Sequence, residues 1–459
     1  MVMVAPGAAR AQALTWHVTH VANDAAGAGE SPAGVAMRQW GPSGDVFLLW
    51  HGALPFGPRA AARLGHFSCD AAPPGGHWCE TVTELAREQM GNLSYGQHLL
   101  HPAMAIRSLP SSNHLELLLT HTEYDYGGAS CAPVGSSERW DLVSHLWNTD
   151  VGTTRTQAVE AAWVAGLCSD YGVTEVKFDQ QGVGRACYTN PDPVSDETVH
   201  CNEQGTGAEW GYVEQLDPID PSMDEADHPS FVMHGGRPTV VHHEGTSAED
   251  WISFRPGRSG ASDFVFDDAS VAAFRKDHPV VIETQDELRV VYQFGDGTNA
   301  HIMYKWCDDL TGDCDDYSPD PTNSNNDDWH EEIVTDSHDD AAHAEVMVDW
   351  GEQREFVAFT YDSNHPYQHR RVVLATRCIG QDNPWTFHEP RQPPVTRYDQ
   401  ALNYGRPSMV LDRVNDVVHI AFAEAEEWHG NSPSYSMGQG GELYWVRASY
   451  ADAVIGDCN

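Results

Sequence analysis

The apolar positions of this chain come in paired short runs. In "DHPSFVMHGGRPTVVHHEG" (227–245) one apolar run leads out to a Gly-Gly turn and a second leads back. The same pattern recurs in "HPAMAIRSLPSSNHLELLLTH" (101–121), "HPVVIETQDELRVVYQFG" (278–295), "HAEVMVDWGEQREFVAFTYD" (343–362) and "RPSMVLDRVNDVVHIAFAEA" (406–425), with a weaker copy at 31–52. Alternation with period two, and richness in Val, Leu and aromatics, predict strands rather than helices.

A third strand follows in "AHIMYKWCDD", "RRVVLATRC" and "GELYWVRAS", and a fourth opens on tryptophan in "WCETV", "WGYVEQ", "WHEEIV" and "WTFHEP". Four antiparallel strands recurring at about 50–70 residues predict a β-propeller. Inner strands are expected near residues 33, 101, 228, 278, 343 and 406, and the interval between 101 and 228 has room for one degenerate unit at 161–180. The expectation is an all-β, seven-bladed β-propeller of four-stranded antiparallel blades, forming a single domain over 14–459. Its last blade lacks a fourth strand, which "LTWHVTHVA" (14–22) can supply by pairing near 442–449, removing an exposed edge. Residues 1–13, rich in small side chains and ending in Ala11-x-Ala13, read as a signal-peptide remnant or a disordered segment.

Charge narrows the partners. With 26 Lys+Arg against 68 Asp+Glu, the formal net charge is −42. Such a surface repels nucleic acid and anionic membranes, and no apolar run is long enough to insert in a bilayer as a helix. The acidity has two readings, solubility in a salty medium or binding of Ca²⁺ and cationic ligands. The loop "CDDLTGDCDDYSPDPTNSNNDD" (307–328) offers hard oxygen donors for Ca²⁺ at Asp308, Asp309, Asp313, Asp315 and Asp316, or is a solvated loop pinned by a disulfide. The cysteines occur in local pairs, Cys69 with Cys79, Cys187 with Cys201 and Cys307 with Cys314, without zinc-ribbon spacing. Disulfides in a secreted or periplasmic protein are the expected use.

The histidines carry the candidate chemistry. In a propeller the start of each inner strand and the end of the second strand share one face near the axis. His51, His101, His121, His228, His242, His243, His278 and His343 fall at those points. His101, His228, His278 and His343 hold one equivalent blade position, where the last blade has Arg406. Imidazoles from separate strands converging on one axis can ligate Zn, Cu or Fe, and these four are the expected metal set. The alternative is structural, with each His-Pro fixing the entry of a strand.

The blocks "PSMVLD" (407–412), "VVHIAF" (417–422) and "ELYWVRAS" (442–449) resemble the blade pattern of the secreted BNR/sialidase-like propeller superfamily, over most of residues 14–450. The S-x-D-x-G-x-x-W boxes of true sialidases are absent. Ulvan-lyase-type seven-bladed propellers are similar in blade pattern. That resemblance implies a funnel base at His121 or His243, with His51 in the same lining. It implies an acid at Tyr292 or Tyr361, and Arg406 to neutralise a uronate. The functions carried forward are a metal-dependent lyase or hydrolase, or a redox metalloenzyme, acting on an extracellular polymer such as a polysaccharide. Set against them is a non-catalytic ligand-binding or surface-assembly propeller with structural histidines.

Overall fold

A computed structural model describes residues 14, 16–23, 31–40, 45–53, 60–67, 82–89, 97–109, 114–125, 138–149, 151–164, 174–190, 198–205, 209–216, 225–234, 237–245, 250–257, 264–268, 276–284, 287–295, 300–307, 314, 329–335, 341–362, 370–380, 384–389, 403–404, 406–425, 442–454 and 458. The chain is an all-β propeller of four-stranded antiparallel sheets. Sheets I to VI each take four consecutive strands, over 31–89, 97–164, 174–216, 225–268, 276–333 and 341–388.

The expectation of uniform four-stranded blades needs one correction. A further sheet, VII, has five strands, because its inner strand is split into Asn403–Tyr404 and Ser408–Asp412, both paired with Val417–Ala425. Arg406 and Pro407 occupy the break, where proline cannot donate to the ladder. On the other side of this sheet, His17–Asn23 pairs antiparallel with Glu442–Ser449.

The first strand of each sheet lies beside the first strand of the next: Ser31–Trp40, Gln97–Ser108, Thr174–Phe178, Glu225–His234, Lys276–Thr284, Ala341–Asp349, then Ser408–Asp412, which itself lies beside Ser31–Trp40. Apolar side chains of adjacent sheets fill the gaps. Val280, Val291 and Ile302 of sheet V, for example, pack on Ala344, Val346 and Val357 of sheet VI, all nearly inaccessible to water. Alternation along each strand sends alternate residues to the two neighbouring interfaces, so the period-two pattern of the sequence is the packing pattern of the fold.

The degenerate unit expected at 161–180 is divided between two sheets. Residues 161–164 end the last strand of sheet II, Gly152–Val164, and the inner strand of sheet III is the short Thr174–Phe178. Its hairpin turns on Asp179, whose Oδ1 accepts from the backbone N–H of Gln181 and Val183, with Gly182 at φ 77°. Tryptophan-led outer strands occur at Trp210–Leu216 and Trp329–Ile333.

Disulfides join Cys187 to Cys201 and Cys307 to Cys314. A third, Cys378 to Cys458, ties the C-terminal segment to sheet VI. The Cys69/Cys79 pair and the aspartates proposed for Ca²⁺ (Asp308, Asp309, Asp313, Asp315, Asp316) lie outside the described residues. Among the described residues, no helix is long and apolar enough to cross a membrane.

Candidate functional site

The inner strands share one irregularity at their entry. In sheet IV, Asp227 pairs with His243 and Ser230 pairs with Val241, so His228 and Pro229 together oppose the single residue His242. Sheets I, II, V and VI slip at the same place, between Pro32 and Val35, Leu100 and Ala103, Asp277 and Val280, and Ala342 and Glu345. These are β-bulges, which bend a strand and re-aim the side chain at the bulge. The proline of each His-Pro lacks the N–H that regular pairing would use. His228, His278 and His343 sit at these bulges with φ of 46°, 52° and 50°. Left-handed φ at a residue with a Cβ costs on the order of 1–3 kcal/mol and persists only where the surroundings impose it.

Three bulge histidines lie in contact. The rings of His228 and His278 stack with centroids 4.2 Å apart, and His343 meets His278 edge-on, also at 4.2 Å. His243 extends the row on the other side, 6.4 Å from His228. His228, His243 and His343 are buried and His278 is half-buried. His101 holds the corresponding slip in sheet II, but its side chain lies outside the described part of the structure.

Asp227 organises one end of this row. Its Oδ1 is 2.7 Å from Nδ1 of His243 and 3.1 Å from Nδ1 of His228, while Nε2 of His243 is 3.3 Å from Oδ1 of Asp250. Burial alone would raise the Asp227 carboxyl, but the two imidazoles outweigh it and hold it well below the usual carboxylate range. Donor atoms of Asp227, His228 and His243 all lie within 4.8 Å of one another, a grouping able to hold a metal ion. Gly245 keeps space here, since a Cβ on it would stand 2.7 Å from Cε1 of His243.

One step deeper along the inner strands is a charged floor. Glu345 accepts from Nε and Nη2 of Arg406 at 2.9 and 2.7 Å. Glu175 accepts from Ser230 Oγ at 2.5 Å and from Phe231 N at 3.2 Å, and pairs with Lys177 at 3.0 Å. Burial opposes the Arg406 charge, yet Glu345 and Glu175 outweigh it and hold the guanidinium above its ordinary range. Arg406 is the residue expected to neutralise a uronate. Its charge already faces two carboxylates.

Register separates the other expected residues. The residue opposite each bulge is His51, His121, His242, Tyr292 or Phe359, and four of these are buried in the packing between sheets. His121 stacks on His145 at 5.0 Å, and Tyr292 is wholly buried among Val241, Ile252 and Val290. His121 and Tyr292, the expected funnel base and acid, are thus both buried side chains. His242 turns away from His243 to bond Glu244, Nε2 to Oε1 at 3.0 Å. The side chains of His51 and Tyr361 lie outside the described part. Asp227 and Asp250, which sequence reading did not single out, are the site's carboxylates, and "DHP" at both 227–229 and 277–279 was the available signal.

No family model matches this chain, and no curated protein does. Among solved structures, a NanB sialidase from Streptococcus pneumoniae is similar at 12% identity and a TM-score of 0.43, over 92% of this chain and 68% of that one. A Trypanosoma rangeli sialidase is similar at 12% identity and a TM-score of 0.40, over 91% and 55%. The polysaccharide lyase Uly1 is similar at 8% identity and a TM-score of 0.44, over 91% and 90%.

Proposed function

We propose that this protein is an exported propeller enzyme whose funnel holds a divalent transition-metal ion on Asp227, His228 and His243, and that it acts on an extracellular polymer such as a polysaccharide. The observation that carries the metal is the buried Asp-His-His grouping, with donors within 4.8 Å of one another at a bulge with positive φ. Two imidazoles and one carboxylate suit zinc or non-haem iron and leave positions open for water and substrate. An ion so held polarises a substrate oxygen or supplies hydroxide at neutral pH. Export is supported by three disulfides among the described residues.

The finer architecture we propose is a seven-bladed ring, with His17–Asn23 completing the last blade. Two equivalent hydrogen bonds support it. Val281 N of sheet V donates to Ser230 Oγ of sheet IV at 3.0 Å, and Met37 N of sheet I donates to Ser408 Oγ of sheet VII at 2.9 Å. The same seam thus recurs between the last sheet and the first.

The test is metal analysis of tag-free full-length protein purified without chelator. A stoichiometric transition metal is expected, and a D227N/H243A variant whose circular dichroism is unchanged should lose the ion held on Asp227, His228 and His243. Turnover of neutral and acidic polysaccharides should then be sensitive to chelation. Protein without stoichiometric metal overturns the reading, and Asp227 would then serve only to tie two imidazoles together, as a binding or assembly propeller requires.

A further inference from the structure

We infer that the funnel holds a second cation on His278 and His343, beside the ion on Asp227, His228 and His243. This rests on the metal reading of the first site and adds a two-ion centre to it. The imidazoles form a row, His243 to His228 to His278 to His343, in which the two outer steps are 6.4 and 4.2 Å between ring centroids and the middle step is 4.2 Å. One ion does not gather all four rings. Among the described residues, the donor set compact enough for a first ion takes in His228 and His243 and leaves out His278 and His343.

The pair left over is shaped as a ligand pair. His278 and His343 come from different sheets and stand at 83° to each other. Imidazoles that each reach an ion through one nitrogen place their centroids about 3.2 Å from it, so rings on ligand positions at right angles lie about 4.5 Å apart. The 4.2 Å found here is close to that spacing. Both residues also adopt the positive φ of His228, at 52° and 50°, although the first ion needs only His228 to do so. The β-bulge common to the three strands imposes this conformation and aims the three rings at one another.

Charge agrees with this. The carboxylates of Asp227, Asp250, Glu175 and Glu345 exceed the cations Arg406 and Lys177 by two, since four negative groups face two positive ones. His228 lies between the two positions and stacks on His278, which places the ions as neighbours on one face. Two adjacent ions can clamp the attacking and the departing oxygen of one substrate group, and the open positions fall to water and to that group.

The experiment counts ions. Tag-free full-length protein is stripped, loaded with Zn²⁺, and dialysed against excess Mg²⁺ to clear the acidic surface, and zinc per chain is measured by native mass spectrometry. The wild type should retain two ions, H278A/H343A one, and D227N/H243A only the second. Loading with Cu²⁺ should give a spin-coupled spectrum in the wild type and an isolated Cu²⁺ signal in the milder H278Q variant, which guards against misfolding of the double variants. One ion in the wild type, or two retained by H278A/H343A, overturns the second site and leaves the first reading intact. No ion in the wild type overturns both.

Discussion

Asp227 and His243 face each other across the first two strands of sheet IV, carboxylate oxygen to Nδ1 at 2.7 Å, as the last regular pair before the bulge. That bond fixes the ring and directs Nε2 toward Asp250. The His243 ring is thereby held between two carboxylates, and its orientation sets the donor grouping with Asp227 and His228.

Gly245 offers a way to disturb this geometry without removing a ligand. An added Cβ would stand 2.7 Å from Cε1 and 3.0 Å from Nε2 of His243, and 3.2 Å from Asp250 Oδ1. Its φ is not in the left-handed region, so the backbone itself accepts alanine. G245A is expected to weaken metal retention by about tenfold or more while the melting temperature moves by only a few degrees. A competition titration with a fluorescent chelator checks this, and wild-type affinity in G245A would show that His243 does not bear on the ion.

A second prediction concerns the seam between sheets V and VI. Glu355 is fully buried, accepts from Tyr304 Oη at 2.7 Å and Arg377 Nε at 2.5 Å, and lies 3.3 Å from Arg289 Nε. Arg377 also lies over the rings of Trp385 and Tyr304. Removing one member of a buried ionic network leaves uncompensated charge and costs about 3–5 kcal/mol. E355Q should lower the denaturation midpoint accordingly, with metal content retained. A loss under about 1 kcal/mol would show that water reaches the two guanidinia.

Much of the fold was legible because alternate residues along each strand enter different sheet interfaces, so burial writes a period of two into the sequence. Thr174–Phe178 was harder to see, since its lead-in lacks the His-Pro of its neighbours and Glu175 takes over a structural bond to Ser230. The site was legible only in part. His242 and His243 are adjacent in sequence, so strand alternation sends them to opposite faces, and the bulge at 228–229 on the partner strand makes Asp227 rather than His228 the residue opposite His243. Counting histidines at strand ends therefore merged core positions such as His121 with site positions such as His243. Asp227 was obscured among 68 acidic residues, and only its pairing across the strands singles it out. The Cys378–Cys458 link spans 80 residues and left no local signal.

The N-terminal strand supplies a third prediction. His17–Asn23 covers the edge of Glu442–Ser449, and Leu14, Trp16 and Val18 pack against a cluster that includes Met409, Ile420 and Val446. Removing residues 1–23 strips the ladder from one edge and exposes that apolar surface. The truncated chain should melt several degrees lower and aggregate more readily. An unchanged melting temperature would show that the strand contributes nothing to holding the last sheet.

Acid sensitivity gives the last prediction. Burial pushes His388 down to about 4, and burial together with His121 pushes His145 down to about 3, against an ordinary value near 6.5. Both rings are therefore neutral in the folded protein, while the unfolded chain takes up protons as pH falls below about 6.5. In that window the unfolded state binds more protons than the folded one, so stability rises with pH and is lost on acidification. The loss should run from about pH 6.5 down to about 4 for His388 and continue to about 3 for His145, below which both states are protonated. Nε2 of His388 lies 3.3 Å from Thr376 Oγ1, a contact that an uncharged asparagine can keep. H388N should therefore flatten the slope of stability between pH 6.5 and 4 while changing little at neutral pH. Urea melts of both proteins across that range decide it, and an identical slope would mean that His388 titrates alike in the folded and unfolded chain.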